Sequence, residues 1–217
     1  MRRIRRTAAA LAAIPLAVCG PGEPASEGTS EEAGGPVLPA QGIYGRTPAS
    51  VGGIPSVIML TPQDDETGIP DASQLSVTID QFGLTFSPTR VVTKPGAHVV
   101  FSNSEAAVAH NVRVRAVGDT VDVLDADANP GERLTVELPS PGGYDVLCDM
   151  HPGMTAFIFV SDAAHAAFAE ADGAFVLEGV APGTYTVQLW TADGGLHEDR
   201  PIEVGTGRTG IDLGLTG

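Results

Sequence analysis

The stretch YDVLCDMHPGMTAFIFV, residues 144–160, decides the fold that we predict for this chain of 217 residues. Period-two alternation places Tyr144, Val146 and Cys148 on one face of a strand. Cys148 then stands at the end of that strand, directly before a loop that contains Pro-Gly. Because 27 Gly and 17 Pro separate short apolar runs along the rest of the chain, we expect an all-β protein.

The same stretch carries three side chains that bind soft metal ions. Cys148 is followed by an imidazole at His151 and by a thioether at Met154. Sulfur donors combined with imidazole favour copper, and a site of two His, one Cys and a weak Met is typical of blue copper electron-transfer proteins. Such a site requires a second histidine from another part of the chain.

His110, in AHNVRVR at residues 109–115, is the second histidine that we select. Alternation places His110 on one face of its strand with Val112 and Val114, and the intervening polar residues on the other face. We therefore expect His110 to point inward. Two strand ends and one loop can then converge on a metal ion.

Each of these donors has a simpler explanation when it is taken alone. Cys148 can be a buried, inert side chain, and Met154 can fill a gap in a core. A lone histidine on an apolar face is usually a core residue with a hydrogen-bond partner. Zinc also binds Cys and His, although a structural zinc site normally lacks thioether ligation. Four donors in this order, on strand ends, favour copper over these alternatives.

Residues 75–162 resemble a cupredoxin of the plastocyanin and amicyanin type. The segment VVTKPGAHVVFSNSEAAVAHNV, residues 91–112, is similar to the strand, the F-x-N element and the first-ligand His-Asn pair of that family. Residues 144–160 are similar to its last two strands and the ligand loop between them, with a Cys-x-x-His-x-x-Met spacing closer to amicyanin. The resemblance implies a Greek-key β-sandwich that binds one type 1 copper ion.

The resemblance also implies a role for each residue of the site. His110, Cys148 and His151 would be the equatorial ligands and Met154 the axial one, while Asn111 matches a family position whose side chain braces the ligand loop. The implied function is the transfer of single electrons between redox partners, without enzymatic activity. His151 would be the exposed edge at which electrons enter.

The N-terminus is typical of an export signal. Four arginines precede an apolar run that is far too short to span a bilayer, so we assign residues 1–18 to a signal peptide. The sequence LAVC that ends at Cys19 resembles a bacterial lipobox, in which this cysteine is acylated; plain secretion is the alternative. Residues 19–40 have the composition of a disordered tether. We expect a periplasmic or cell-surface protein, anchored to the membrane through Cys19.

The mature chain is strongly acidic. Removing residues 1–18 leaves 8 basic and 27 acidic residues, a net charge of −19. This charge argues against nucleic acid as a partner. It would steer a basic redox partner toward the surface, and it can equally serve only to keep an exported protein soluble. The redox partner and the oligomeric state stay unidentified.

A second β module is predicted after the copper segment. In DGAFVLEGVAPGTYTVQLW, residues 172–190, the apolar residues Tyr185, Val187 and Leu189 alternate with polar ones. This stretch resembles the carboxypeptidase regulatory-like fold, a non-catalytic β-sandwich. We assign residues 163–217 to it.

This C-terminal stretch is short for that fold. Residues 41–74 include the apolar run IPSVIML and can supply the missing strands, so we hypothesise that residues 75–162 are inserted within the small sandwich. Contacts between residues 54–60 and 185–190 would support insertion. The link SDAAHAAFAEA, residues 161–171, is either a short helix, by the helix propensity of alanine, or an edge strand.

The remaining candidate groups carry no further site. His98, His165 and His197 lie outside the ligand spacing, and we interpret each as a solvated or locally hydrogen-bonded side chain. The acidic run QDDET, residues 63–67, is interpreted as a solvated loop. The sequence shows no Ser-His-Asp order, phosphate loop or pair of carboxylates that indicates catalysis.

Two other functions are compatible with the sequence. The first is a copper-binding or delivery protein without electron transfer, which readily exchanged Cu(I) would indicate. The second is a surface module whose β-sandwich binds a protein or a glycan, for which Cys148→Ser would leave partner binding intact.

Overall fold

Short β-strands separated by turns make up the regular structure of the described residues. The computed structural model describes residues 41–64, 75–197 and 199–214, and every regular element in these ranges is a strand. The all-β prediction is therefore confirmed. The strands are β1 (Gly42–Arg46), β2 (Val57–Pro62), β3 (Ser76–Phe82), β4 (Thr85–Ser87), β5 (Arg90–Thr93), β6 (His98–Asn103), β7 (His110–Ala116), β8 (Asp122–Ala128), β9 (Arg133–Glu137), β10 (Gly142–Leu147), β11 (Thr155–Val160), β12 (His165–Phe168), β13 (Ala174–Glu178), β14 (Gly183–Thr191), β15 (Gly195–Leu196), β16 (Arg200–Val204) and β17 (Arg208–Asp212).

Several predictions concern residues beyond those ranges. The signal peptide, the tether and Cys19 lie outside the described residues, as do residues 65–67 of the acidic run. The first two residues of that run are described, and both are exposed, as expected for a solvated loop. None of the described ranges contains a helix long and apolar enough to cross a membrane.

Strands β3–β11 form two facing sheets that we call the central sandwich. One sheet has the order β4-β3-β6-β9 and the other the order β5-β11-β10-β7-β8. Neighbouring strands are antiparallel, except that β3 with β6 and β5 with β11 are parallel. Burial of inward-facing apolar side chains holds the sheets together. They include Ile79, Phe101, Val114, Val146 and Ile158.

The predicted strand faces of the central sandwich are confirmed. On β7, His110, Val112 and Val114 are fully buried. On β10, Tyr144 and Val146 are buried, and the strand ends one residue before Cys148, which is buried as well. Cys148 therefore leaves the sheet pointing into the core.

The other strands form a second pair of sheets, which we call the flanking sandwich. One sheet has the order β13-β1-β17, and the other has the order β12-β2-β14-β15 with β16 also paired to β14. Tyr185, Val187 and Leu189 are buried on β14, as their alternation predicted. Ile43 and Leu60, from strands that precede the central sandwich in the chain, lie in the same core as Tyr185 and Val187.

The pairing of β2 with β14 is the contact that the insertion hypothesis required. The two strands are antiparallel, with Leu60 opposite Val187 and Ile58 opposite Leu189. One of them precedes the central sandwich and the other follows it. The chain therefore enters and leaves the central sandwich from neighbouring strands of one sheet.

The alanine-rich link is an edge strand rather than a helix. Within residues 161–171, β12 runs antiparallel to β2, with His165 opposite Leu60 and Phe168 opposite Val57. The helix alternative is wrong, because propensity differences of well under 1 kcal/mol per residue are easily outweighed by tertiary pairing. Strand pairing gives the backbone hydrogen-bond partners and buries Ala163 and Ala169.

An aromatic cluster joins the central sandwich to the flanking sandwich. The rings of Phe157 and Phe159, on β11, lie 5.8 and 5.2 Å from the indole of Trp190, on β14. Val57 and Met59 of β2 complete the cluster. Since β11 begins directly after Met154, this packing fixes the strand that follows the predicted ligand loop.

Candidate metal centre

The four predicted metal ligands lie at strand ends and in one short loop. His110 is the first residue of β7, Cys148 follows the last residue of β10, and Met154 precedes the first residue of β11. The loop between Cys148 and Met154 is closed by the backbone. The Cys148 N–H donates to the Met154 carbonyl at 3.1 Å, and the Met154 N–H donates to the His151 carbonyl at 3.1 Å.

Three of the four predicted donor side chains converge. The Nδ1 atoms of His110 and His151 lie 3.0 Å apart, and the Cys148 Sγ lies 3.4 Å from Nδ1 of His151 and 3.9 Å from Nδ1 of His110. The two imidazole rings meet at an interplanar angle of 63°. One nitrogen from each ring and one sulfur therefore form a small triangle.

The size of this triangle fits a metal ion at its centre. Metal–nitrogen bonds of about 2.0–2.1 Å and a metal–sulfur bond of about 2.3 Å place three trigonal donors about 3.5–3.8 Å apart. The observed separations of 3.0–3.9 Å bracket that range. Two imidazoles and a cysteine sulfur, with a methionine at the end of the same loop, are a donor set that suits copper.

Within the described residues, Cys148 forms no disulfide. It is buried, and it is the free cysteine of the described residues. A free thiol beside two imidazoles is consistent with a metal ligand.

Met154 is placed in the same core as Cys148. Its side chain is only 2% exposed, and it belongs to the apolar cluster that fills the central sandwich. Its carbonyl bond to Cys148 ties the end of the loop to its beginning. The axial role of its sulfur stays a prediction.

Burial differs between the two histidines. His110 is fully buried, whereas His151 is half-buried. Burial lowers the pKa of His110, and the neighbouring His151 lowers it further, against an opposing effect of Glu105. The imidazole of His110 is therefore neutral near pH 7, the form in which its nitrogen lone pair is free to bind a metal.

Asn111 connects β7 to the ligand loop. Its Oδ1 accepts the Asp149 N–H at 2.6 Å, and its Nδ2 donates to Asp125 Oδ1 at 3.2 Å and to Asp149 Oδ2 at 3.4 Å. Although it belongs to the polar face of β7, its side chain is only 6% exposed. The contact is with the residue that follows Cys148, so Asn111 lies where the family resemblance places a bracing side chain.

Two further polar residues position the site, and the sequence analysis did not select them as such. Asn103 is fully buried, and its Nδ2 donates to the carbonyls of Val108 and Ala128 at 2.9 and 2.8 Å, which holds the loop that leads into His110. Arg113 pairs with Asp149 at 2.9 Å. The F-x-N element pointed to Asn103. Alternation along β7 places Arg113 on the same face as Asn111, and this was the available signal for its contact.

The remaining histidines lie elsewhere. His98 is exposed, and His197 Nε2 lies 2.7 Å from the Thr191 hydroxyl. His165 is half-buried, with its ring edge-on to Tyr185. Burial lowers the pKa of His165, and Lys94 lowers it further. None of the three belongs to the group of His110, Cys148 and His151.

Comparison with protein families gives one match. Residues 73–161 match the model of the copper-binding proteins of the plastocyanin/azurin family. The match covers less than half of the chain and contains all four predicted ligands. It ends before the last strands, so the carboxypeptidase regulatory-like resemblance of those strands stays a prediction. No curated protein matches the sequence.

The chain is also similar to solved copper proteins. A copper-containing nitrite reductase (NirK) from Thermus scotoductus SA-01 is 24% identical over 47% of this chain and 25% of that chain, with a TM-score of 0.38. A reduced amicyanin variant is 20% identical over 48% of this chain and 99% of its own, with a TM-score of 0.37. A purple cupredoxin from Nitrosopumilus maritimus is 21% identical over 40% of this chain and 99% of its own, with a TM-score of 0.35.

The family match agrees with the architecture of the segment that it covers. The central sandwich consists of two facing β-sheets with a core between them. The described part of this match, residues 75–161, therefore forms a cupredoxin-type β-sandwich with a copper-binding family signature.

Proposed function

We propose that this chain, with its copper-binding cupredoxin segment, is an exported blue copper protein that passes single electrons between redox partners. The observation that carries the proposal is the convergence of His110 Nδ1, His151 Nδ1 and Cys148 Sγ within 3.0–3.9 Å. In this proposal these three side chains and Met154 hold one type 1 copper ion, which supplies the Cu(I)/Cu(II) couple.

The surroundings of the site support electron transfer over copper delivery. His110 and Met154 are almost completely buried, and Cys148 is 5% exposed. Two strand ends and a closed loop hold these donors, so the protein itself resists the change in geometry that would accompany each electron transfer. Handing the ion to another protein would require the donors to become accessible, and only His151 is partly exposed.

We propose a carrier rather than an enzyme for a related reason. Catalytic metal sites keep one coordination position open for water or substrate. Here four side chains of the chain are available as donors, and three of them lie in a buried core. His151 then offers the shortest route for an electron between the site and a docked partner.

Location and partners complete the proposal. The arginine-rich N-terminus and the LAVC sequence favour export and a lipid anchor at Cys19, with residues 19–40 as a tether. The acidic mature chain favours a redox partner with a basic docking surface. The flanking sandwich is proposed to be a non-catalytic β module of the carboxypeptidase regulatory-like type.

Absorption spectroscopy of the copper-loaded protein tests the copper half of this proposal. We expect a strong visible charge-transfer band and its loss in Cys148→Ser. The matched control is His98→Gln, because His98 is an exposed histidine on another strand end, and this variant should keep the band. A colourless protein that is saturated with copper would contradict the proposal.

Voltammetry tests the electron-transfer half. A carrier gives reversible one-electron cycling with a stable midpoint, and it retains Cu(I) in the presence of a Cu(I) chelator. Rapid loss of Cu(I) to the chelator would favour the delivery function instead.

A further inference from the structure

A cluster of charged side chains lies on the face of β7 opposite His110. The guanidinium of Arg113 lies 2.9 Å from the carboxylate of Asp149, the residue that follows Cys148. Asn111 hydrogen-bonds both Asp149 and Asp125. We call Asn111, Arg113, Asp125 and Asp149 the loop clamp.

The ion pair adds a second attachment to the one that Asn111 provides. Asn111 holds the backbone N–H of Asp149, whereas Arg113 holds its carboxylate. Both anchoring residues lie on the same strand, and that strand begins with His110. The loop clamp therefore ties the Cys148 side of the ligand loop to the strand that carries the first histidine.

The loop clamp contains one cation, Arg113, and two carboxylates, those of Asp125 and Asp149. Arg113 lies opposite Asp125 in the β7–β8 register, and its guanidinium forms an ion pair with Asp149 on the loop. Its side chain is 27% exposed and that of Asp149 is 48% exposed. The effective dielectric constant is lower at such partly buried positions than in bulk water, so the Coulomb interaction of each charge with the site is stronger.

We propose that the Arg113–Asp149 ion pair is a positioning device for Cys148 that also sets the reduction potential of the site. The pair restrains the Cys148–Asp149 peptide, which keeps Sγ facing the two Nδ1 atoms. The two charges of the pair largely offset one another at Sγ, so removing either one leaves the other uncompensated beside the thiolate. The part that concerns the potential rests on the proposed copper function.

The same strand offers a matched control pair. Arg115 lies two residues further along β7 and pairs with Asp122 at 2.7 Å, with side chains 33% and 25% exposed. At a rise of about 3.3 Å per residue, this pair is roughly 6–7 Å further from the ligand loop. It therefore shares the chemistry and the strand face of the Arg113–Asp149 pair but not its contact with the loop.

Amide hydrogen exchange in the copper-free, full-length protein tests the positioning. Loss of a partly exposed ion pair in Arg113→Gln should speed exchange of the Asp149 N–H by about twofold to fivefold. Arg115→Gln should leave that amide unchanged. Equal exchange of the Asp149 amide in both variants would overturn the positioning role.

Reduction potentials of the copper-loaded variants test the electrostatic effect. Arg113→Gln leaves an unpaired negative charge, which stabilises Cu(II) and lowers the potential, whereas Asp149→Asn leaves an unpaired positive charge and raises it. At the wild-type midpoint, the ratio of oxidised to reduced protein should change by about threefold or more in opposite directions. The double variant should return close to wild type.

A purely structural role would give a different pattern. Loosening of the loop would shift both single variants in the same direction, and that result would overturn the electrostatic effect. Shifts in reduction potential no larger than those of Arg115→Gln and Asp122→Asn would also overturn the electrostatic effect. Failure of the protein to take up copper would overturn the proposed function and the effect on the potential, while the exchange of the Asp149 amide would still decide the positioning role.

Discussion

The Nδ1 atoms of His110 and His151 lie 3.0 Å apart, although His110 is fully buried at the start of a strand and His151 is half-buried in a loop. Both rings turn the same type of nitrogen toward Cys148. The asymmetry in burial means that only one side of the donor set borders the solvent. A bound copper ion would therefore be held by donors in the core, and an electron from a partner would reach it through His151.

Replacing each histidine by glycine should have different consequences for rescue by external imidazole. In His151→Gly, the lost side chain opens a path to the surface, so added imidazole should restore the visible absorption band of the copper-loaded protein. In His110→Gly, the cavity is enclosed by the core and should recover little of the band. Equal recovery in both variants would contradict the difference in burial.

Removing the Asn111 side chain should destabilise the ligand loop. Asn111→Ala leaves the Asp149 N–H and the Asp125 carboxylate without a buried partner, which should cost about 1–3 kcal/mol in the free energy of unfolding. Urea unfolding of the copper-free protein measures this change. Asn129→Ala is the control, because Asn129 is exposed, and its cost should stay below that of Asn111→Ala. Equal costs would show that the loop does not depend on Asn111.

A side chain at Gly143 should disturb the junction of the two sandwiches. A Cβ at this position would lie 2.6 Å from the ring of Phe157 and 2.7 Å from that of Trp190. We expect Gly143→Ala to cost about 1–3 kcal/mol of stability and to change the fluorescence of Trp190, the single tryptophan of the chain.

The control for this prediction is Gly205→Ala. A Cβ at Gly205 meets no atom within 4 Å, so the change in stability should stay within about 0.5 kcal/mol. If Gly143→Ala were as stable as Gly205→Ala, the aromatic cluster would accommodate the extra methyl group without loss of stability, and the prediction would be wrong.

The pH dependence of stability should reveal the environment of Asp145. Burial raises the pKa of this carboxyl, with Arg115 opposing the shift. The stability that its protonated form contributes is complete below the unfolded pKa of about 3.9 and is lost as the pH rises through the folded pKa. Asp145→Asn avoids this loss, so its stability relative to wild type should increase from pH 4 toward pH 7 in urea unfolding of the copper-free protein.

Asp172 should show the opposite sign and serves as the comparison. The Ala174 N–H and the Arg46 guanidinium lower the pKa of this exposed carboxyl. Its contribution is present above the unfolded pKa and is lost as the pH falls through the folded pKa. Asp172→Asn should therefore be less stable than wild type at pH 7, with a difference that shrinks under acid conditions. If the stability difference from wild type changed with pH in a way that implied a raised pKa, or a lowered pKa, for both carboxyls, the environments described for Asp145 and Asp172 would be wrong.

Much of the candidate site was predictable because its determinants are local. Alternation along β7 and β10 correctly placed His110 and Cys148 on buried faces, since successive side chains of a strand point to opposite sides. The Cys-x-x-His-x-x-Met spacing identified a loop that brings its ends together. Residues that act across strands were harder to find. Alternation places Arg113 on the same face as Asn111, but it does not identify Asp149 as the partner, because the loop and the strand meet only after folding.

The fold shows the same division between local and distant determinants. Alternation in β14 predicted its buried face, and the incomplete C-terminal module predicted the pairing with β2 that the structure contains. The alanine-rich link was ambiguous, because propensity favoured a helix while resemblance favoured a strand. The link forms a strand because the edge of β2 offers hydrogen-bond partners to its backbone.

The sequence by itself determined the strand character of the described residues, the inward faces of β7 and β10 and the set of candidate donor residues. Each of these depends on the period of a strand or on the length of one loop. Only the tertiary structure decided that His110 meets His151 at 3.0 Å, that Arg113 holds Asp149, and that Trp190 packs on Phe157. These contacts join residues that are distant in the chain, and they are set by how the sheets pack as a whole.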